Sequence, residues 1–374
     1  MRICILTSGH SPFDSRIFYK EVLSLKQKYK DIVIIAPYDN NIEVQGIKIV
    51  KINSRKNWWN RFWPMIQLYS KGLYQHADVY HCHEPDSLFI GYLLKRRLRC
   101  KLIYDSHEYH PEAFAEHMHS SLSWIVKRII YFTEKIIAKK ADYIITVNDL
   151  LVKKFERYQP NVVLIPNYPR LEMFNFKNDN IHKDIDFIYI GELSRSRGSS
   201  IIIEASRILK KRNMNFNICF IGGFSSLEYE SEIKSLIDRY KLQEQVNFIE
   251  WIEHSKVNSI LRRAKVGLVI LQPNVYRYTV CEPIKLFEYM GNGLPVIANN
   301  YDMVRNIILP SECGILVDPT NPNEIADAME EILKNQEKWI KRGKKGMLSV
   351  KEKFNWKIYG EKLTKIYMEL NNNN

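Results

Sequence analysis

Twelve short apolar runs constrain this chain more than any other feature: "RICILT", "DIVIIAP", "DVYHCH", "KLIYDSH", "YIITVN" and "VVLIPN", then "DFIYIG", "FNICFIGG", "VNFIEW", "VGLVIL", "LPVIAN" and "GILV". Helical stretches separate them. Buried strands that alternate with helices build parallel α/β sheets, and the runs fall into two series. At 374 residues the chain exceeds a usual single core, so two domains of ordinary size are expected, with a cleft between them.

The break lies in "VVLIPNYPRLEMFNFKNDNIHKD", where Asn, Pro and charge interrupt the periodicity before Phe187 begins the next strand. The expected division is a Rossmann-like domain over 1–169, a linker over 170–182, a second Rossmann-like domain over 183–353 and a terminal segment over 354–374. Within that segment Asn355 to Leu370 reads as a helix that packs back on the N-terminal domain, and the last four asparagines read as a frayed tail. The two halves share an architecture and no sequence repeat.

Composition narrows the partners. Hydrophobic residues make up 45% of the chain and charged residues 26%, which is globular. Fifty-five Lys and Arg against 42 Asp and Glu give +13, which favours phosphates, nucleotides or anionic lipid heads. Nucleic acid is not expected, since no groove-reading motif, zinc-ligand spacing or basic tail accompanies the charge. The six cysteines are scattered without C-x-x-C spacing, several within strand runs, as buried thiols of a reducing compartment would be. "MRICILTSGH" runs directly into a strand pattern without a signal-peptide layout, and no apolar stretch is long enough to cross a bilayer, so a cytoplasmic location is expected.

Two stretches depart from the pattern: "SRKNWWNRFWPMIQLYSKGLY" from Ser54 and "SLSWIVKRIIYFTEKIIAKKAD" from Ser121. Each interleaves Lys or Arg with large apolar residues. That suits either a helix lying among lipid heads or a core helix with a basic outer face.

Open parallel sheets bind ligands beyond the carboxyl ends of their strands, so the loops there hold the candidates. In "SGHSPFDSRIFYKE", Gly9 and Pro12 allow a sharp turn, Ser11, Asp14 or Ser15 caps a helix near Arg16, and His10 sits at the strand's mouth. Such a helix start suits a phosphate or hydroxyl; a plain turn is the alternative. At two further strand ends stand His81, His83, Glu84, Asp86, Asp105, His107, Glu108 and His110. Burying so many titratable groups is costly, so they are expected to line a wet cleft. A metal site is the rival reading, but His81 and His83 alternate on a strand and are expected on opposite sides, with no fixed third ligand.

In the second half, Arg195 and Arg197 of "YIGELSRSRGSS" form either a diphosphate clamp beside a helix start or a solvated basic loop. Gly222 and Gly223 let backbone approach a ligand closely. "EPIKLFEYMGNGLPVIAN" places Glu288 one turn beyond Ile284 in a helix that is otherwise apolar. A carboxylate there is either simply solvated or holds a donor pair such as the two hydroxyls of a ribose, above a helix start that offers amides to phosphate.

Together, "HSPFDSRIFYKEVLSL", "VYHCHEPD", "YDSHE", "ADYIITVN", "IPNYP", "GELSRSRG" and "PIKLFEYMGNGLPVIA" resemble glycosyltransferase family 4, in the family's order and over nearly the whole chain. The resemblance implies retaining enzymes of the GT-B fold: α/β, with two Rossmann-like parallel-sheet domains facing across a cleft, the first for the acceptor and the second for the nucleotide sugar. By position, Glu288 matches a ribose-binding glutamate, the backbone of Ile284, Lys285 and Leu286 touches the diphosphate, and Arg197 matches a basic phosphate ligand, with Arg195 beside it. His107 matches a histidine near the transferred sugar. The loop from Gly9 through His10 to Asp14 faces the acceptor, with His83, Glu108 and Glu282 on the sugar side, and Gly222 and Gly223 match a glycine turn beside the nucleotide. His107, Arg197 and Glu288 are the expected catalytic residues.

Two positions depart from the family pattern. A second glutamate expected eight residues before Glu288 is Val280, with Glu282 two residues later, and an arginine expected after the strand's glycine is Glu192. Either Arg195 supplies the missing charge, or Arg197 and helix amides hold the diphosphate alone. The implied reaction is retaining, metal-independent transfer from a UDP-sugar, with a GDP-sugar second, to a glycan or lipid-linked acceptor in surface polysaccharide or lipopolysaccharide synthesis, without a cofactor and with an anionic membrane surface as a further partner. "DID" at Asp184 to Asp186 looks like the metal-binding Asp-x-Asp of the other glycosyltransferase fold, but it stands at a strand's start, opposite the ligand end. The competing readings are a nucleotide-sugar epimerase and a non-enzymatic nucleotide-sugar-binding protein.

Overall fold

The computed structural model of the chain describes residues 1–55, 62–107, 109, 120–176 and 181–372, apart from the side chains of 120–123 and 254–255. Glu108, His110 and part of the 170–182 segment lie outside the described residues. The chain divides into two compact units, Met1–Asn167 with Trp356–Asn374, and Tyr168–Asn355. The division after Asn167 reflects packing. Tyr168 sets its ring against Phe287 with centroids 4.7 Å apart, and Phe174 lies against Gly291, so the aromatic residues of the segment dock on the second unit.

The first unit carries an eight-stranded sheet of β1 (Ile3–Leu6), β2 (Ile32–Pro37), β3 (Ile42–Val44), β4 (Ile47–Ile52), β5 (Val79–Cys82), β6 (Lys101–Ser106), β7 (Tyr143–Thr146) and β8 (Val162–Leu164). The order is β3-β4-β2-β1-β5-β6-β7-β8, and every pairing is parallel except β3 with β4. Ile3 and Ile5 face Phe18, Trp356, Leu363 and Tyr367, while Cys4 and Leu6 face Tyr80, Leu88 and Leu94. Side chains alternate along a strand, and with both faces covered the run must be apolar throughout. The β3–β4 hairpin turns on Gln45 and Gly46, both left-handed at φ +52° and +71°, the two-residue turn whose twist matches that of its strands.

The second unit carries six parallel strands, β9 (Ile185–Ile190), β10 (Ile218–Ile221), β11 (Val246–Ile249), β12 (Ala264–Val269), β13 (Val296–Asn299) and β14 (Gly314–Val317), in the order β11-β10-β9-β12-β13-β14. Phe187, Phe220, Leu268 and Ile297 pack under the helices Ser199–Lys211 and Pro322–Lys334 through Ile202, Leu209, Ile325 and Met329. All six cysteines are free thiols, and no helix among the described residues is long and apolar enough to cross a membrane.

Strand order reverses between β1 and β5 in the first sheet and between β9 and β12 in the second. Crevices open beyond the strand ends at such switch points.

Candidate active site

In the second unit, β9 leads through Gly191, at φ +123°, to a tight turn at Arg195–Arg197, and the chain after β12 reaches Pro283, which starts the helix Ile284–Gly291. Tyr289 fixes that helix across both strands: its hydroxyl accepts the Ile190 amide proton at 2.8 Å, and its ring lies against Gly267. The first turn therefore sits at the switch point.

Two cations converge there. Nζ of Lys285 and Nη1 of Arg197 each stand 3.6 Å from where a Cβ on Gly191 would lie. Lys285 is half-buried along its length, yet its Nζ is enclosed, without a hydrogen-bond partner among the described residues and 3.9 Å from the centre of the Tyr189 ring. Burial, and then the charge of Arg197, lower its pKa to about 7 in spite of Glu288. Arg197 has Glu192 at 3.5 Å and Tyr278 beneath it. Glu288, one turn along, is 8% exposed. A cationic hollow with an enclosed carboxylate beside it is built to receive an anion carrying hydroxyl groups.

Three expectations shift on this geometry. Arg195 is not part of the pair: it is exposed and bound to Glu232. The Lys285 ammonium, expected only as backbone, stands where a second cation was sought. The Leu286 amide already donates to the Pro283 carbonyl at 3.0 Å, so the Ile284 and Lys285 end of the helix is the part turned to the site. Gly222 has φ +142° and the Gly191 carbonyl where a Cβ would be; Gly223 lies under the exposed indole of Trp251, a residue the sequence did not single out. Val280 ends the short helix Tyr276–Thr279, and Glu282 stands half-buried just before Pro283.

In the first unit the loop after β1 is organised by Glu84, at the start of the helix Pro85–Leu98. Its buried carboxylate accepts from the Thr7 hydroxyl, from the amides of Ser8 at 3.2 Å and Gly9 at 3.1 Å, and from Ser87 at 3.1 Å. Burial alone would raise its pKa; His10, Thr7 and Arg55 hold it below the usual range. Asp14 is the helix cap, accepting from the amides of Arg16 at 2.8 Å and Ile17 at 3.1 Å. His10 faces Glu84 at 3.6 Å, Asp14 at 3.8 Å and, nitrogen to nitrogen, His107 at 3.3 Å. The structure thus brings together Gly9, His10, Asp14 and His107.

His81, His83 and Asp105 do not line a wet surface: each is 0% exposed. They are tolerated inside because Arg16 bonds Asp105 and Glu21, and because both histidines are neutral, burial driving His81 down to about 4 and His83 well below its ordinary value. His83 is therefore no sugar-side contact but the support behind His107, with ring centroids 5.9 Å apart. Nor do His81 and His83 face opposite sides. Residues two apart on a strand share a face, and these rings stack 4.7 Å apart at 18°. Glu21, His81, His83 and Asp105 bring donor atoms within 4.8 Å of one another, but nearly parallel imidazoles aim their lone pairs side by side rather than at one point, a poor fit to a tetrahedral ion. Arg16 and Glu21 were missed from sequence; a charged pair in an apolar helix, "SRIFYKEV", was the available signal.

The chain matches the family model "Glycosyltransferase Family 4" over residues 16–168 and "Glycosyl transferases group 1" over 172–346. Sucrose synthase 6 of Arabidopsis thaliana is 30% identical over 165 residues, 40% of this chain and 17% of that protein, so the match spans about a sixth of the plant enzyme's length. Among solved structures, Anabaena HepE in complex with UDP-glucose superposes with a TM-score of 0.74 at 14% identity, covering 99% of this chain and 100% of that one. WaaG, described as a glycosyltransferase involved in lipopolysaccharide biosynthesis, superposes with a TM-score of 0.70 at 12% identity, covering 97% and 99%. At these identities the likeness to the solved structures is one of fold.

Proposed function

This chain belongs to glycosyltransferase family 4 and has the GT-B fold, and from that premise we propose that it transfers a sugar from a nucleotide diphosphate to a hydroxyl of a glycan or lipid-linked acceptor, with retention at the anomeric carbon. A UDP-sugar is the first choice of substrate and a GDP-sugar the second; the pathway is cell-surface polysaccharide synthesis. The observation that carries this reading is the convergence of Arg197 and Lys285 on Gly191, at the start of a helix whose next turn presents Glu288.

The chemistry follows from charge. As the glycosidic bond to the diphosphate lengthens, negative charge grows on the leaving oxygens, and two fixed cations with a helix start beside them stabilise it. Glu288 accepts from the ribose hydroxyls and sets the register of the nucleotide. The leaving phosphate oxygen is itself a base for the acceptor hydroxyl, so no step requires a metal. His107 and the His10 loop act on the sugar and acceptor side.

Incubation with UDP-glucose and a glycan acceptor should release UDP at a rate that EDTA leaves unchanged. Release that needs EDTA-sensitive metal sinks the metal-free route. An epimerase would convert the nucleotide sugar with no acceptor present and free no UDP; a simple binding protein would change neither.

The surface suits a peripheral position on an anionic membrane. The helix Ser120–Ala138 exposes Trp124, Ile125, Ile129, Phe132 and Ile136 beside Lys127 and Arg128, and Phe62–Gln75 exposes Phe62, Trp63 and Ile66. Flotation with anionic liposomes, lost on raising salt or on W124A/F132A, is the expected result; flotation indifferent to lipid charge removes the electrostatic part.

A further inference from the structure

His107 is held from behind. Its Nδ1 lies 3.3 Å from Oδ1 of Asp105, at the end of β6. The other oxygen of that carboxylate, Oδ2, receives Nε of Arg16 at 3.0 Å and Nη2 at 2.6 Å. Arg16 is itself fixed: Nη1 donates to the Ile165 carbonyl at 3.0 Å, Nε is 2.9 Å from Glu21, and the guanidinium stands 6.0 Å from the centre of the Trp356 ring. Arg16 is 2% exposed and Asp105 and Glu21 are 0% exposed, so water does not loosen the chain of contacts.

A carboxylate gripped by a guanidinium fork stays charged and can only accept. Burial alone would raise the pKa of Asp105; Arg16, and then His107, hold it well below the usual range. Nδ1 of His107 must therefore bring the proton to Asp105. In the neutral ring Nε2 then accepts, and that nitrogen is the one His10 Nε2 faces at 3.3 Å.

We propose that Arg16 and Asp105 are positioning residues for the transfer reaction: they commit the His107 imidazole to the Nδ1–H tautomer and keep Nε2 as an acceptor for a hydroxyl of the substrate, in the place His10 takes here. The positioning role rests on the proposed glycosyl transfer; the tautomer does not.

The test has two arms. Imidazole 15N spectra of the full chain, with the His107 signal assigned by its loss in H107Q, should show the proton on Nδ1, and D105N, whose amide offers a donor where the carboxylate only accepts, should move it toward Nε2. A wild-type signal with the proton on Nε2 overturns the inference. In turnover of UDP-glucose, D105N and R16Q should lower kcat at least about tenfold with KM for the nucleotide sugar within about twofold, and neither should lower it further in the H107Q background. An unchanged kcat in D105N overturns the inference as well, and since that substitution is nearly isosteric the result holds even if R16Q fails to fold. If the wild-type chain leaves UDP-glucose untouched, the transfer reading is what fails, and the nitrogen spectra still decide the tautomer.

Discussion

Lys285 carries the electrostatic consequence of the proposed nucleotide site. A lysine lowered to about 7 is largely neutral at pH 8 in the free protein, while a diphosphate beside it favours the ammonium. Binding of UDP should therefore take up a proton above pH 7, and affinity should fall as pH rises from 7 to 9. Calorimetry in buffers of different ionisation heat measures the uptake directly; K285M should bind more weakly at pH 7 and lose the slope. Folding carries the opposite sign. The unfolded chain holds the Lys285 proton up to its ordinary 10.5, so this group adds stability as pH rises through that window and withdraws it as pH falls toward 7. Glu288 makes a separate prediction: E288Q should raise the dissociation constant for UDP about tenfold or more, the loss of charge-assisted bonds worth about 1.5–3 kcal/mol, with little change in melting temperature. The enclosure of Glu288 could be anticipated because it stands in an otherwise apolar helix. That of Lys285 could not, because what encloses its Nζ is the Tyr189 ring beneath it, a contact across 96 positions of sequence that no local spacing encodes.

At the scale of elements, the helix Ile284–Gly291 does its work only if it stays across the ends of β9 and β12, where the Tyr289 hydroxyl ties it in addition to its buried Leu286, Phe287 and Met290. Y289F removes the acceptor of the buried Ile190 amide without changing the packing volume, so the cost is that of an unsatisfied buried N–H, about 1–3 kcal/mol. The expected outcome is a melting temperature lower by several degrees together with weaker UDP binding, because Arg197 and Lys285 keep their places only around a fixed Gly191. Loss of stability with affinity intact would show that the helix is anchored elsewhere. The strands themselves were readable as apolar runs because a parallel sheet is covered on both faces. The β3–β4 hairpin was not, since it is antiparallel, short and half-exposed at β3, and its signal was a Gln-Gly pair between two modest runs rather than a run of its own. The wet cleft expected of the histidine motifs failed for a related reason: sequence displays titratable groups one by one, whereas Arg16 and Glu21, from one segment, meet Asp105, from another, only once the chain is folded.

At the scale of the molecule, the first unit is not finished until the last helix is made. Trp356–Asn372 belongs with Met1–Asn167, and Trp356, Leu363, Ile366, Tyr367 and Leu370 are buried in that unit's core. The Trp356 indole donates to the Lys20 carbonyl at 3.1 Å and the Ser24 hydroxyl at 2.8 Å, and the Tyr367 hydroxyl meets His81 Nδ1 at 2.8 Å. The same helix therefore closes one face of the first sheet and supports the Arg16 network from below. Truncation after Asn355 strips the inner face of β1, β2 and β6 of its cover, and five buried side chains at about 1.5–3 kcal/mol each, lost at once, are together comparable to the roughly 5–15 kcal/mol by which a domain is stable. W356A alone, at about 3–5 kcal/mol, should leave a folded but weakened unit. Limited proteolysis separates the cases: in the truncated chain cleavage should concentrate within residues 1–167 while a fragment near 168–355 resists, and in W356A the same sites should open only on warming. Protection of residues 1–167 in the truncated chain would mean that the eight-stranded sheet is covered without its terminal helix, which the buried Trp356 and Tyr367 contradict.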